Sequence, residues 1–434
     1  MRAPGPARFV DLGAFVRRSP PFWSGLRDAA WLDGRRARAY LLILAAVTAL
    51  MALGYVVTAR GGLDALGKPL GTDFSSPWSA ARLALAGAPV DAWNPAVHWV
   101  VQRAQFGADV AYTAFVYPPP FLLLNLPLGA LPYLPALVVW LLATGAAWAV
   151  MARAWVGGAL SGRAAWLALL AFPAVMVNAG HGQNGFLTAA LLGAAAFLHE
   201  RRPWFAGALV GLLVIKPHLA LLAPLFFVFT GNWRAFAAAG VSAVGLCVLS
   251  VAALGVGVWE GFLDSLALSR GALDHNLVGY AKMQSAFAGV KLLGGPAWLA
   301  WAVQVAFAGL AIAALWTTRN ARLGAGAAFA CAALVATPYV FDYDMALLVA
   351  PLAWLFAHGV RGGFLPWERI VLLTGFALPL VSRPLAMATD VPIAPLAMLA
   401  LLACVVRRAR MVPAGACDGQ VNGAARHAPS PHPS

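Results

Sequence analysis

The sequence predicts an all-α polytopic integral membrane protein, a bundle of about 12 transmembrane helices. Three observations carry that expectation. Of the 434 residues, 62% are hydrophobic and 11% charged, against roughly 25% charged in a soluble domain, and the mean hydropathy is +0.77. The apolar residues are gathered into separate long runs rather than dispersed. The arginines fall in short loops on alternate sides of those runs, the positive-inside pattern.

Residues 1–39 form a basic segment, too long and too mixed for the n-region of a signal peptide. No clear cleavage site follows residues 40–59, so that run reads as a signal anchor that stays in the membrane. Residues 60–132 form a long loop. In it Ser75 and Ser76 before Pro77 suggest an N-cap and first helical turn, with Gly87 as a stop. Residues 121–129 follow three prolines and are apolar but too short to span, so they read as a helix lying in the membrane interface. Further spans are expected at 133–152, 164–178, 185–199, 204–215, 218–230 and 235–257. After a second loop, 258–296, come 297–316, 323–338, 343–358, 367–382 and 391–406. Several are shorter than the roughly 20 residues an isolated span needs, which a bundle tolerates. Residues 40–406 thus form one transmembrane domain. The tail, 407–434, is rich in Pro, Gly, Ala and Ser and is expected to be disordered.

The stretch LLVIKPHLALLAP at 212–224 decides the topology. Were residues 204–229 one helix, Arg319, Arg322, Arg361, Arg369, Arg407, Arg408 and Arg410 would fall on the side opposite the basic N-terminal segment. Two short helices meeting at Lys216–Pro217 keep them together, with about 21 of the 30 Lys and Arg inside. Both termini are then cytoplasmic, and Lys216 sits at an outer apex where its charge can be solvated or paired. The polar clusters collect on the same outer side: residues 71–87, 115–121 (FVYPPPF), 178–185 (NAGHGQNG), 215–218, 272–285 and 337–344 (TPYVFDYD).

The net charge of +14 is therefore a membrane signature, and nucleic-acid binding is excluded as its cause. Cys247, Cys331 and Cys404 lie in apolar runs and Cys417 in the tail, with neither disulfide nor metal spacing. No phosphate-cradling glycine loop, HExxH or GxSxG is present. No internal repeat is visible either, which speaks against a transporter built from repeats. The alternative of a secondary transporter or lipid flippase would use Lys216 and Asp342 as midplane charges, whereas the topology puts both at outer apices.

Taken in order, Asp73 with SAARLALAGAPVDAWNP (79–95), YPPPFLLLNLPLGALP (117–132), GQNGFLTAALLGAAAFL (182–198), GALVGLLVIKPHLALLAPLFF (207–227) and TPYVFDYDMALLVAPLAWL (337–355) resemble the GT-C class of membrane glycosyltransferases. More narrowly they resemble glycosyltransferase family 87, whose characterised members are polyprenol-phosphate-mannose-dependent α-mannosyltransferases. The resemblance implies a GT-C-like bundle with interfacial helices in the first outer loop. It implies inverting transfer of a sugar, with mannose suggested, from a polyprenyl-phosphate donor to a lipid or glycan acceptor, on the outer face of a bacterial inner membrane. No cofactor and no metal are expected.

The resemblance places the catalytic base in the first outer loop, at Asp73. Lys216, Arg82 and His218 are candidates for the donor phosphate. His181, Gln183, Asn184, Tyr117, Asp342 and Asp344 are candidates for substrate binding. Where the family often carries S-P-x-x-W-x-x-H, this chain has TPYVFDYD, without the histidine. Each residue also has a plainer reading. Asp73 could cap the helix near Pro77, Lys216 could snorkel from a helix end, and Arg82 could meet a lipid headgroup. His181 and Asn184 could satisfy a glycine-rich turn, and one of Asp342 and Asp344 could be a helix N-cap. Asp274 and His275 read as a solvated loop pair.

Overall fold

A computed structural model describes residues 22–274 and 279–411, apart from the side chains of 22–24 and 267–274. The tail beyond 411 and His275, with the side chain of Asp274, lie outside the described residues. Within them the chain is helical, with no strand. Every expected apolar run is helical. Six single helices have the length and hydropathy of a span: Gly34–Val57, Tyr133–Ala159, Trp233–Leu254, Ala297–Thr318, Asp342–Gly362 and Glu368–Thr389. Shorter apolar helices, Gly185–Leu198, Pro203–Ile215, Pro217–Phe229 and Leu323–Ala336, and the helix Ile393–Met411, which takes in the first residues of the expected tail, also belong to the bundle. Leu323–Ala336 is buried from Gly324 to its end, so its shortness does not leave that backbone facing lipid.

The run at 164–178, expected as one span, is two helices, Gly162–Ala171 and Pro173–His181, bent by 52°. Pro173 is the cause: it holds Phe172 at φ −69°, ψ 116°, outside the helical region. The second helix therefore turns its end, His181, toward Thr72 in the loop 60–132.

At Lys216 the chain turns back. A Cβ at Gly207 would run into the Ala235 carbonyl, and one at Gly211 into the Ala239 carbonyl. The contacts advance together along both chains, so Pro203–Gly211 and Trp233–Leu254 run parallel, and the segment between them must return. Asn232 Nδ2 donates to the His199 carbonyl, closing the return at the end where it began. The break has φ −148°, ψ 67° at Lys216, followed by a proline that has no N–H to continue the helix.

The two ends of the bundle differ. His199, Glu200, Pro203, residues 230–234, Arg319 and Arg322 share one pocket. Gly324 lies against Ala409, and Arg408 pairs with buried Glu368. From Leu323 the helix runs about 20 Å to Ala336, and only then come Asp342 and Asp344. The arginine loops and these acids are a helix length apart.

The long loop 60–132 packs an aromatic cluster of Phe74, Trp78, Trp93, Phe106, Phe115 and Phe121 against Tyr133 and Trp140 of the span that follows. The expected capping serines do not cap. Ser75 and Ser76 are the first residues of the helix Ser75–Leu85, and their hydroxyls donate to the carbonyls of Thr72 and Ala114. The apolar 121–129 stretch is the helix Pro119–Gly129. Its end is pressed so close to Ala81 that a Cβ at Gly129 would come within 2.6 Å of the alanine Cβ.

His98 holds this loop together. It is fully buried, its Nε2 lies 3.0 Å from the Ser76 carbonyl, and its Nδ1 has no partner. Burial pushes its pKa down from 6.5 to about 4. The unfolded chain then binds a proton before the folded one does. Stability is intact above pH 6.5 and is lost as pH falls from 6.5 toward 4, by on the order of 3 kcal/mol at most. Thermal unfolding of His98→Gln, which keeps a donor for Ser76, should lack that part of the acid sensitivity. An unchanged pH profile would show that His98 does not govern it.

Candidate functional site

Four separate segments meet at the end of the bundle away from the arginine loops. The 3₁₀ turn Thr72–Phe74 brings Asp73, and the break between Pro173–His181 and Gly185–Leu198 brings His181, Gln183 and Asn184. The turn-back brings Lys216, and the 3₁₀ helix Asp342–Leu348 brings Asp342, Tyr343 and Asp344. Close backbone packing explains the glycines here. A Cβ on Gly182, which has φ +63°, would come within 2.7 Å of the Phe74 Cβ. One on Gly185 would strike the Tyr343 carbonyl.

Asp73 is not a helix cap, for the helix that follows has no side-chain cap. Its Oδ2 accepts from Gln183 Nε2 at 3.0 Å and from Lys282 Nζ at 3.3 Å. Gln183 is itself oriented. Its Oε1 accepts from the Tyr117 hydroxyl at 2.9 Å and from the Asn184 N–H at 3.1 Å, which leaves its amide N–H₂ to face Asp73. Burial pushes the Asp73 carboxyl up. The Lys282 ammonium, His181 where it is protonated, and the Gln183 bond more than offset this, so its pKa lies below the ordinary 3.8. Burial and the nearby Asp73 push the Tyr117 phenol up, so it stays a donor.

Two further ion pairs lie beside this one. Lys216 Nζ is 2.5 Å from Asp344 Oδ1 and 3.3 Å from Asn184 Oδ1, with 4% of the lysine side chain and none of the aspartate exposed. Asp344 also accepts from the Phe341 N–H at 3.1 Å. Arg383 Nη1 is 3.1 Å from Asp342 Oδ2 and 3.2 Å from His181 Nε2. Arginine can only donate, so His181 Nε2 accepts and its proton sits on Nδ1, facing the Thr72 hydroxyl at 3.3 Å. The Tyr343 ring links the pairs, its centroid 4.8 Å from Lys216 Nζ and 6.0 Å from Lys282 Nζ. Asp73, Lys216, Asp342 and Asp344 therefore belong to one cluster, together with Tyr117, His181, Gln183 and Asn184.

Arg82 is not brought to it. It is exposed on Ser75–Leu85, near the Gly129 carbonyl and the Trp78 ring. His218 is adjacent in sequence to the turn, but its ring packs against Tyr339 at 6.0 Å and its buried Nε2 has no partner. Two cations absent from the sequence expectations, Lys282 and Arg383, complete the site. Lys282 lies within the polar stretch 272–285, where Asp274 and His275 are the more conspicuous residues. Arg383 carries a signal of its own, a lone arginine inside an apolar run next to Pro384. Among the described residues no three His, Cys, Asp or Glu side chains are grouped so as to hold a metal ion.

The fold and the site define a membrane-embedded helical bundle with one part-exposed carboxylate, held by an oriented amide and a lysine, at the end away from its arginine loops. The family model of glycosyltransferase family 87 matches residues 115–338, more than half of the chain. The protein belongs to glycosyltransferase family 87 and is a membrane glycosyltransferase. No curated protein and no solved structure matches it. The matched stretch includes Tyr117, His181, Gln183, Asn184, Lys216 and Lys282, while Asp73, Asp342, Asp344 and Arg383 lie outside it.

Proposed function

We propose that the protein transfers a sugar, mannose by its resemblance to characterised family members, from a polyprenyl-phosphate donor to an acceptor hydroxyl. The reaction inverts the anomeric centre, and Asp73 is the general base. The observation that carries this reading is the Asp73 carboxylate. It is partly exposed and ionised, it caps nothing, and Tyr117 and Gln183 fix its orientation. The acceptor oxygen attacks the anomeric carbon as the bond to the phosphate oxygen breaks. The phosphate leaves with the bonding electrons, and the hydroxyl proton passes to Asp73.

The leaving phosphate needs cations that can reach it. Lys216 is enclosed by Asp344 and Asn184, and serves to set the turn that carries Asn184 and, next to it, Gln183. Lys282 and Arg383, with 21% and 32% of their side chains exposed, are placed for the phosphate. Arg82 is placed for a lipid headgroup, and His218 supports Tyr339 beside the site. Acceptor binding falls to Tyr117, His181 and the residues around Asp342. The site faces outward and both termini are cytoplasmic, because the arginine loops lie at the opposite end; a bacterial inner membrane fits this arrangement.

Inside-out and right-side-out vesicles supplied with radiolabelled polyprenyl-phosphate mannose test the reading. Label should pass to a lipid or glycan acceptor when the donor is on the outer face, and a reporter fused after Arg319 should read as cytoplasmic. Transfer from a nucleotide sugar but from no lipid-phosphate sugar would overturn the donor, and an exposed reporter would overturn the orientation.

A further inference from the structure

The three ion pairs of the site are graded in depth. Lys216–Asp344 is closed off at 2.5 Å. Arg383–Asp342 has a buried acid but a part-exposed base. Lys282–Asp73 is the loosest, at 3.3 Å with 21% and 17% of the side chains exposed, longer than the roughly 2.7–2.9 Å of a tight charge-assisted bond. Lys282 is also mounted differently. It ends the short 3₁₀ turn Tyr280–Lys282, which starts after Gly279 at φ +82°. That turn is tied to the strip carrying Asp342 and Asp344 by the Gln284 N–H, which donates to the Val340 carbonyl at 2.8 Å. Its backbone is thus anchored at the site's edge while its ammonium, on a flexible four-carbon stem, occupies the base.

An ion-paired carboxylate is a poor proton acceptor, because the neighbouring cation favours its charged form. A base that must take a proton from a hydroxyl works better once that cation is gone. The donor brings the replacement partner, a phosphate whose charge grows as the sugar leaves. Arg383 faces the same space, and its bonds to Asp342 and His181 both use Nη1.

We propose that Lys282 is an exchangeable counter-ion: it holds Asp73 until the donor phosphate enters, then moves onto that phosphate and frees the carboxylate for the acceptor's proton. This rests on the reading of Asp73 as the base and of the donor as a lipid phosphate. Binding of the phosphate must then break the Asp73–Lys282 pair, so removing the carboxylate's charge should tighten binding even though it slows transfer.

The experiment titrates undecaprenyl monophosphate into purified protein in nanodiscs, with neutral undecaprenol as control. Asp73→Asn should bind the phosphate about three- to thirtyfold more tightly than wild type, the range expected for a part-buried pair. Lys282→Met should bind it about tenfold more weakly, and the double variant should be no tighter than Lys282→Met. Asp73→Ser replaces Asp73→Asn should the latter fail to fold. Unchanged or weaker binding in the neutral Asp73 variant overturns the exchange, as does tightening that persists without Lys282. If wild type transfers sugar from a lipid phosphate and yet Asp73→Asn binds no tighter, only the exchange falls. If wild type neither binds the phosphate nor uses the lipid donor, the donor reading falls and takes the exchange with it.

Discussion

Asp73→Asn is expected to lower sugar transfer by about 10²–10⁴-fold, the usual worth of a positioned general base, or roughly 3–5 kcal/mol of barrier. The fold should survive. The amide fills the same space, and its oxygen can still accept from Gln183, which Tyr117 and Asn184 hold in place. The loss should appear in kcat, since the interaction removed acts on the proton in flight. The assay is transfer of label from polyprenyl-phosphate mannose in membranes, with the unfolding temperature measured in parallel. Near-normal turnover would remove Asp73 from the chemistry. Asp342 and Asp344 would be poor replacements, with 3% and none of their side chains exposed. Such a result would move the search to Asp274, whose side chain lies outside the described residues.

Lys216→Ala should act on the fold first. It leaves the Asp344 carboxylate buried beside Asn184 and Tyr343 without its cation, and breaking such a pair by removing one partner destabilises by about 3–5 kcal/mol. The turn-back would loosen, carrying Asn184 and Gln183 with it, so activity should fall together with the unfolding temperature. Adding Asp344→Asn removes the orphaned charge and should recover much of the stability. A Lys216→Ala protein that unfolds at the wild-type temperature, and differs only in a raised KM for the donor, would return Lys216 to the phosphate.

The turn-back is legible along the chain because two independent one-dimensional signals agree on it. Lys216–Pro217 interrupts an apolar run, and the arginines beyond it must stay on one side of the membrane. The break at Phe172–Pro173 is not legible in the same way, although its proline is as visible as Pro217. No charge marks the spot, and a single span satisfies the alternation equally well. Asp73 shows the limit at the level of one residue. Position and residue type allow both a cap and a base, and the choice depends on Gln183 and Lys282, which are 110 and 209 residues away in the chain.

The membrane class, the two unlike ends, the return at Lys216 and the loops that hold the polar residues are set by hydropathy and charge. These act on each segment separately, so they can be read along the chain. Which cation faces which carboxylate is another matter. Lys216 could have met solvent, phosphate or any of three aspartates, and its enclosure with Asp344 follows from how four loops close on the Tyr343 ring. A pairing energy depends on distance and on water excluded by neighbours far away in sequence. Only the packed bundle could therefore decide that Lys216 is sealed in, and that Lys282 stands at the edge paired with Asp73.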